Sequence, residues 1–242
     1  MTPVLELQDV SKNFTLHLRD QAEIGVVRDV SFKVDAGECV VLGGPSGIGK
    51  SSILKMTTGN YHASGGRILV RDGDVEVDVT QASPREILSL RARVIGYVSQ
   101  FLRVIPRVST LDVVAEAARG ENGGEEQARE KAREMLSLLR LPEKLWNLPP
   151  ATFSGGEQQR VNIARGLAAS RSLLLLDEPT ASLDALNRQT VVELIEQKKR
   201  EGVAILGIFH DEDVRDAVAS RVIDVSRFAP QPGASQKELT HA

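Results

Sequence analysis

The sequence predicts an α/β fold: a mostly parallel core sheet, an antiparallel β-region beside it and a helical insertion. Three observations carry this. Short all-apolar runs at 40–42, 173–176 and 203–209 end at glycine-rich or polar residues, as strands buried on both faces do. Segments 4–10 and 26–34 mix apolar and polar residues with a short period, as half-covered strands do. Between the core runs, apolar residues recur at helical spacing over 110–118 and 125–139. With 242 residues, 41% of them hydrophobic, the chain can fill one large core.

Taken in order, the first two segments read as strands joined across a polar stretch, 15–25, which is too poor in apolar residues for core and is expected as a hairpin loop. Residues 40–42 read as the first core strand, which runs into a glycine-rich turn. Segments 65–70 and 75–79, split by Asp72-Gly73-Asp74, read as a hairpin. Residues 94–98 read as a core strand ending at Ser99-Gln100. The pattern then becomes helical, with Ala128, Ala132, Met135, Leu136 and Leu139 on one face and Glu121-Asn122-Gly123-Gly124 separating two helices. This insertion, 101–150, is bounded by Pro106 and by Pro149-Pro150. A further helix from 154 carries apolar positions 161, 163, 164, 167 and 168. Two last core strands, 173–176 and 203–209, end at Asp177-Glu178-Pro179 and at His210. The expected organisation is one domain over 1–228, with a helical subdomain at about 101–165. A tail of linker composition, 229–242, is expected to be poorly ordered.

Bulk properties narrow the function. A net charge of −3 with interleaved signs supplies no basic face of the kind duplex nucleic acid or anionic lipid requires. The one cysteine, Cys39, excludes an intrachain disulfide and reads as a buried, inert thiol. No apolar stretch reaches membrane-span length and the N-terminus lacks a signal pattern, so a soluble, cytoplasmic protein is expected.

The chemistry concentrates at predicted strand ends, where parallel α/β sheets bind ligands. Gly44-Pro45-Ser46-Gly47-Ile48-Gly49-Lys50-Ser51-Ser52 fits the phosphate-cradling pattern G-x-x-x-x-G-K-[ST]. Its glycines let the backbone take positive φ and turn N–H groups toward a polyphosphate. Lys50, opening a helix, places a compact positive charge on the β and γ phosphates, and the Ser51 hydroxyl is placed for Mg²⁺. A nucleoside triphosphate with Mg²⁺ is the expected ligand. Asp177 is placed to hold the ion, and Glu178 to orient water and accept its proton. Gln100 and His210 each follow an apolar strand; they either bridge Mg²⁺, water and the γ-phosphate or simply cap strand ends. Ser154-Gly155-Gly156-Glu157-Gln158 reads as a capping box, Ser154 with Glu157, but the adjacent glycines are unneeded for capping and leave bare N–H groups for a phosphate.

These motifs together resemble those of ATP-binding cassette (ABC) ATPases, and the similarity covers 3–228. Residues 44–52 resemble the Walker A loop, Gln100 the Q-loop glutamine and Ser154 to Gln158 the signature. Leu173 to Asp177 resembles the Walker B strand, Glu178 the catalytic carboxylate, Ala181-Ser182-Leu183-Asp184 the D-loop and His210 the switch histidine. Gln100 is in the family a Mg²⁺ ligand as well. Phe14 matches the aromatic that stacks on adenine, a reading favoured over its alternative as core of the antiparallel sheet. The resemblance implies a RecA-like core and ATP sandwiched between one cassette's Walker A and another's signature, so the expected partner is a second cassette, identical or a sister. Glu157, Phe153 and Asp211-Glu212 depart from the commonest pattern. With the stretches 99–107 and 152–166 they are similar to cassettes of the bacterial phosphonate carbon–phosphorus lyase system, which implies lyase subunits as partners and no permease. The expected function is thus an Mg-ATP-hydrolysing accessory of phosphonate breakdown. The alternatives are the ATPase subunit of a lipoprotein-release or export transporter, and a nucleotide-gated scaffold with little turnover.

Overall fold

The computed structural model describes residues 2–16, 22–100, 102, 107–119 and 124–230. Along the chain run β1 (Leu5–Leu16), β2 (Ala22–Val34), β3 (Cys39–Gly43), α1 (Lys50–Thr57), β4 (Gly65–Asp72), β5 (Val75–Asp78), α2 (Pro84–Arg93) and β6 (Ile95–Val98). They are followed by α3 (Thr110–Ala118), α4 (Glu125–Leu138), α5 (Gly155–Ala168), β7 (Leu173–Asp177), α6 (Ala185–Arg200), β8 (Ala204–Ile208), α7 (Glu212–Val218) and β9 (Arg221–Asp224).

Two sheets form. An antiparallel sheet has the order β2-β1-β4-β5, and a parallel sheet the order β6-β7-β8-β3-β9. The inner parallel strands β3, β7 and β8 carry runs of apolar residues because both faces are covered, whereas the edge strand β9, Arg221–Asp224, is largely exposed. Cys39 and Val41 of β3, with Leu174 and Leu176 of β7, face a core shared with Val161 and Leu167 of α5 and with the inserted helices. Val40 and Leu42, with Leu173 and Leu175, face the opposite core shared with Ile53 of α1 and with Leu5 and Ile68 of the antiparallel sheet. Period-two alternation therefore distributes one run of leucines between two cores. Because the strands are parallel, β3, β6, β7 and β8 all end at one edge, which brings the turns after Gly43, Val98, Asp177 and Ile208 together.

The inserted helices lie where the spacing puts them: Ala128, Ala132, Met135, Leu136 and Leu139 are all buried. The region 15–25 differs from expectation. β1 continues to Leu16 and β2 starts at Ala22, with Phe14 opposite Ile24 and Thr15 opposite Glu23. This arm projects beyond the core, so Phe14, Thr15, Glu23 and Ile24 are exposed and no apolar alternation marks the pairing. What remains of the expected loop, 17–21, lies outside the described residues, as do most of the run 101–106 with Pro106, residues 121–123 of the inter-helix separator and the tail from 231. Helix α2 was not legible from periodicity, since only Leu90 of it is buried. Its signal is local: Ser83 accepts from the Glu86 N–H, Glu86 accepts from the Ser83 N–H, and Pro84 opens the first turn.

Candidate functional site

The turn after β3 is shaped by left-handed backbone at Gly44, Gly47 and Gly49, with φ of 114°, 81° and 109°. At Gly49, the cap residue of α1, a side chain is barred twice over: by the positive φ, and because a Cβ would lie 2.6 Å from Val27 Cγ1. The turn thus folds back against β2 and presents its N–H groups and the positive end of α1 to one space. Lys50 Nζ lies across this turn, donating to the carbonyl oxygens of Gly44 at 2.6 Å and Pro45 at 2.8 Å. Its ammonium is held over the cradle by neutral acceptors that a phosphate oxygen would outcompete.

Beside it, Ser51 Oγ donates to Asp177 Oδ1 at 3.1 Å, joining the phosphate turn to the end of β7. Asp177 is buried, and its other oxygen accepts from Tyr97 Oη at 3.2 Å. A serine hydroxyl and one carboxylate are hard oxygen donors suited to Mg²⁺, which keeps most of its shell for water and phosphate. Among the described residues no cluster of three His, Cys, Asp or Glu is found that could hold a metal ion.

Glu178 follows in a left-handed conformation, φ 54°, that a non-glycine residue adopts only when its surroundings enforce it. Its N–H donates to the Ile208 carbonyl at 3.0 Å, fastening it to β8. The side chain is thereby aimed between two other strand ends: Gln100 Nε2 donates to Glu178 Oε2 at 3.0 Å, and His210 Nε2 lies 2.8 Å from Glu178 Oε1. Gln100 and His210 are therefore brought together on Glu178 rather than acting as isolated strand caps. Asp211 caps α7 and pairs with Arg188 of α6, which holds its carboxyl below the usual range and fixes the residue next to His210.

The signature residues sit apart from this cluster in the chain, at the start of α5. The capping box forms in full: Glu157 Oε2 accepts from the Ser154 N–H at 2.9 Å and from Ser154 Oγ at 2.7 Å, and Ser154 Oγ accepts from the Glu157 N–H. These bonds from Ser154 lower the Glu157 carboxyl. A Cβ on Gly155 would meet nothing within 4 Å, so the space over the first turn of α5 is open, as anion contact requires. A Cβ on Gly156 would lie 3.1 Å from the Ser182 carbonyl, which brings the 181–184 loop against the same turn. Asp184 caps α6, accepting from the Asn187 N–H at 2.8 Å, and that bond lowers its carboxyl.

Phe14 is exposed, which removes the sheet-core reading; its ring meets Tyr61 edge-on at 5.4 Å and carries Lys12 Nζ 4.5 Å from its centroid. Sequence reasoning missed Tyr61, Tyr97, Gln159, Asn162 and Arg188. Gln159 and Asn162 had a signal, since each interrupts an otherwise apolar helix face. A cavity of about 870 Å³ opens beside Gln100, walled in part by Lys55, Arg91, Tyr97 and Arg165.

A family profile described as ABC transporter matches residues 27–181. The Fe(3+) ions import ATP-binding protein FbpC of Rhizobium etli is 38% identical over 217 residues, which cover 89% of this chain and 58% of that protein. The macrolide export ATP-binding/permease protein MacB of Syntrophobacter fumaroxidans is 33% identical, over 95% of this chain and 31% of that protein. The chain thus spans little more than half of the first relative and less than a third of the second. In structure, a dimeric bacterial ABC transporter cassette, MJ0796, superposes with a TM-score of 0.80 at 27% identity, over 91% of this chain and 94% of that one. The fold expected from sequence is the fold of that cassette. The finer resemblance to phosphonate-lyase cassettes gains no support from these relatives, whose names are those of transport proteins. With its motifs in family order and Ser51, Asp177, Glu178, Gln100 and His210 meeting at one sheet edge, the chain belongs to the ABC transporter family, as an ATP-binding cassette of the ATPase class.

Proposed function

We propose that this chain is the ATP-hydrolysing cassette of a transport assembly, working as one of a pair at the cytoplasmic face of a membrane. The observation that carries the ATPase part is the convergence of Gln100 and His210 on Glu178, beside the Ser51–Asp177 contact. ATP binds with its phosphates in the 44–52 turn and its base against Phe14. Lys50 exchanges its two carbonyl acceptors for phosphate oxygens. Ser51, Asp177 and Gln100 would hold Mg²⁺, which when bound would neutralise charge building on the phosphates. Glu178 orients a water and takes its proton as the water oxygen bonds to the γ phosphorus and the bond to the bridging oxygen breaks, releasing ADP and phosphate. His210 holds the carboxylate in position and contacts the γ-phosphate.

The bare turn Ser154-Gly155-Gly156-Glu157, with Asp184 nearby, serves the nucleotide of a second cassette. MJ0796 has been solved as a dimer and in a post-hydrolysis state with ADP and Pi, which supports a paired arrangement here. The transport reading rests on the relatives and on the cleft beside Gln100, which is roomy enough for a segment of a membrane partner. A second reading, accessory ATPase of the phosphonate carbon–phosphorus lyase system with lyase subunits and a sister cassette as partners, is favoured by Phe153, Glu157 and Asp211-Glu212. The pairing of Glu178 with His210 speaks against a scaffold without turnover. Affinity purification of Glu178→Gln protein from its native host with Mg-ATP, followed by mass spectrometry, separates the readings. An integral membrane permease supports transport; lyase subunits with a second soluble cassette overturn it in favour of the second reading.

A further inference from the structure

Helix α5 carries its signature turn at one end and packs an apolar face of Val161, Ile163, Ala164 and Leu167 into the core. Two amides interrupt that face: Gln159 is 5% exposed and Asn162 fully buried. Packing a helix on a sheet needs neither, and a buried amide is costly unless bonded. Both are bonded to main-chain carbonyls of other elements. Gln159 Nε2 donates to the Pro179 carbonyl at 2.8 Å, and Asn162 Nδ2 donates to the Ser99 carbonyl at 2.6 Å. Three residues apart, they share one helix face and touch each other, Asn162 Nδ2 lying 3.4 Å from Gln159 Oε1.

The two acceptors are informative. Ser99 immediately precedes Gln100, and Pro179 immediately follows Glu178. Those two side chains are the pair joined at 3.0 Å in the site. One rigid helix face therefore grips the backbone on either side of that contact. We propose that Gln159 and Asn162 are positioning residues that register the signature end of α5 against Gln100 and Glu178, so that engagement of Ser154 to Glu157 by a second cassette's nucleotide sets the catalytic carboxylate. This rests on the paired-cassette reading above. A displacement of α5 moves both carbonyls together, because each is hydrogen-bonded to a side chain of the same helix face.

The test is single-turnover hydrolysis of Mg-ATP by the full chain in excess, with ATP affinity and melting temperature measured on the same proteins. Asn162→Leu, close in shape but without the donor, is expected to slow hydrolysis by about tenfold while ATP affinity changes by less than about twofold. In a Gln100→Ala background the same substitution is expected to add little, because its effect runs through Gln100. An unchanged rate, or a loss that multiplies with that of Gln100→Ala, overturns the proposal. Should Asn162→Leu not fold, Gln159→Met in wild-type and Glu178→Gln backgrounds carries the same two criteria. Failure of the paired-cassette reading shows separately, as full hydrolysis by Ser154→Arg protein.

Discussion

Glu178 sits where three strand ends meet, and its backbone is held against its own preference to put it there. A positive φ at a non-glycine residue costs of order 1–3 kcal/mol and persists only where neighbours enforce it; here the Ile208 carbonyl, Gln100 and His210 do so. Glu178→Gln preserves shape and removes the proton acceptor. It is expected to keep ATP affinity and to lose turnover by at least about a hundredfold, as removal of one transition-state group does; wild-type single-turnover rates in this variant would take Glu178 out of the mechanism. Cys39 offers a different test. Burial pushes its thiol up to about 12, whereas in an unfolded chain it ionises near about 8.5. Between those values the native state keeps a proton that the unfolded state has lost, so stability falls as pH rises. Urea midpoints measured from pH 8 to 10 are expected to decline less steeply for Cys39→Val than for the wild type; parallel slopes would mean the thiol does not contribute.

At the scale of elements, the helix start at Ser154 performs two tasks that a single substitution can separate. As a cap, Ser154 contributes about 1 kcal/mol; as part of a bare turn, it leaves room for a phosphate from outside the chain. Ser154→Arg is expected to lower the melting temperature by no more than about 4 °C, to leave ATP binding intact and to abolish hydrolysis, because the long side chain fills the space over Gly155 and Gly156. Normal hydrolysis with the modest melting shift would leave the capping role alone standing. What the sequence made legible follows the same division. The strands β3, β7 and β8 were readable because two covering layers give each an unbroken or nearly unbroken apolar run, and α3 and α4 because one covered face imposes a period. The turns carrying Lys50, Asp177, Glu178 and Ser154 were readable because their chemistry demands particular residues at particular spacing. The outer ends of β1 and β2 were not, since an arm with both faces in solvent leaves no pattern, and α2 buries too little to show one. Tyr97, reaching Asp177 from a neighbouring strand, depends on sheet order, which local pattern does not contain.

At the scale of the molecule, the 44–52 turn and the start of α5 are the two glycine-rich helix starts proposed above to meet phosphate, yet their hydrogen bonds tie them to different neighbours: the first to Asp177, the second to its own capping box. If each nucleotide is shared between two copies, defects in the two halves must complement. Lys50→Ala disables the cradle, and Ser154→Arg disables the surface offered to a partner. Alone, each variant forms only dimers whose two sites are both damaged. Mixed in equal amounts, half of the dimers pair one variant with the other, and in each of these one site joins an intact cradle to an intact signature while the second site carries both defects. Activity is then expected to recover to about a quarter of wild type, or less where hydrolysis at one site depends on the other. Recovery on mixing, measured as ATP turnover at concentrations that favour dimers, identifies two copies of this chain as a competent pair. With both variants shown to be folded, no recovery means that the partner supplying the signature is a different cassette, and adding that cassette in intact form to Ser154→Arg protein must then restore hydrolysis in the cradle that this variant retains.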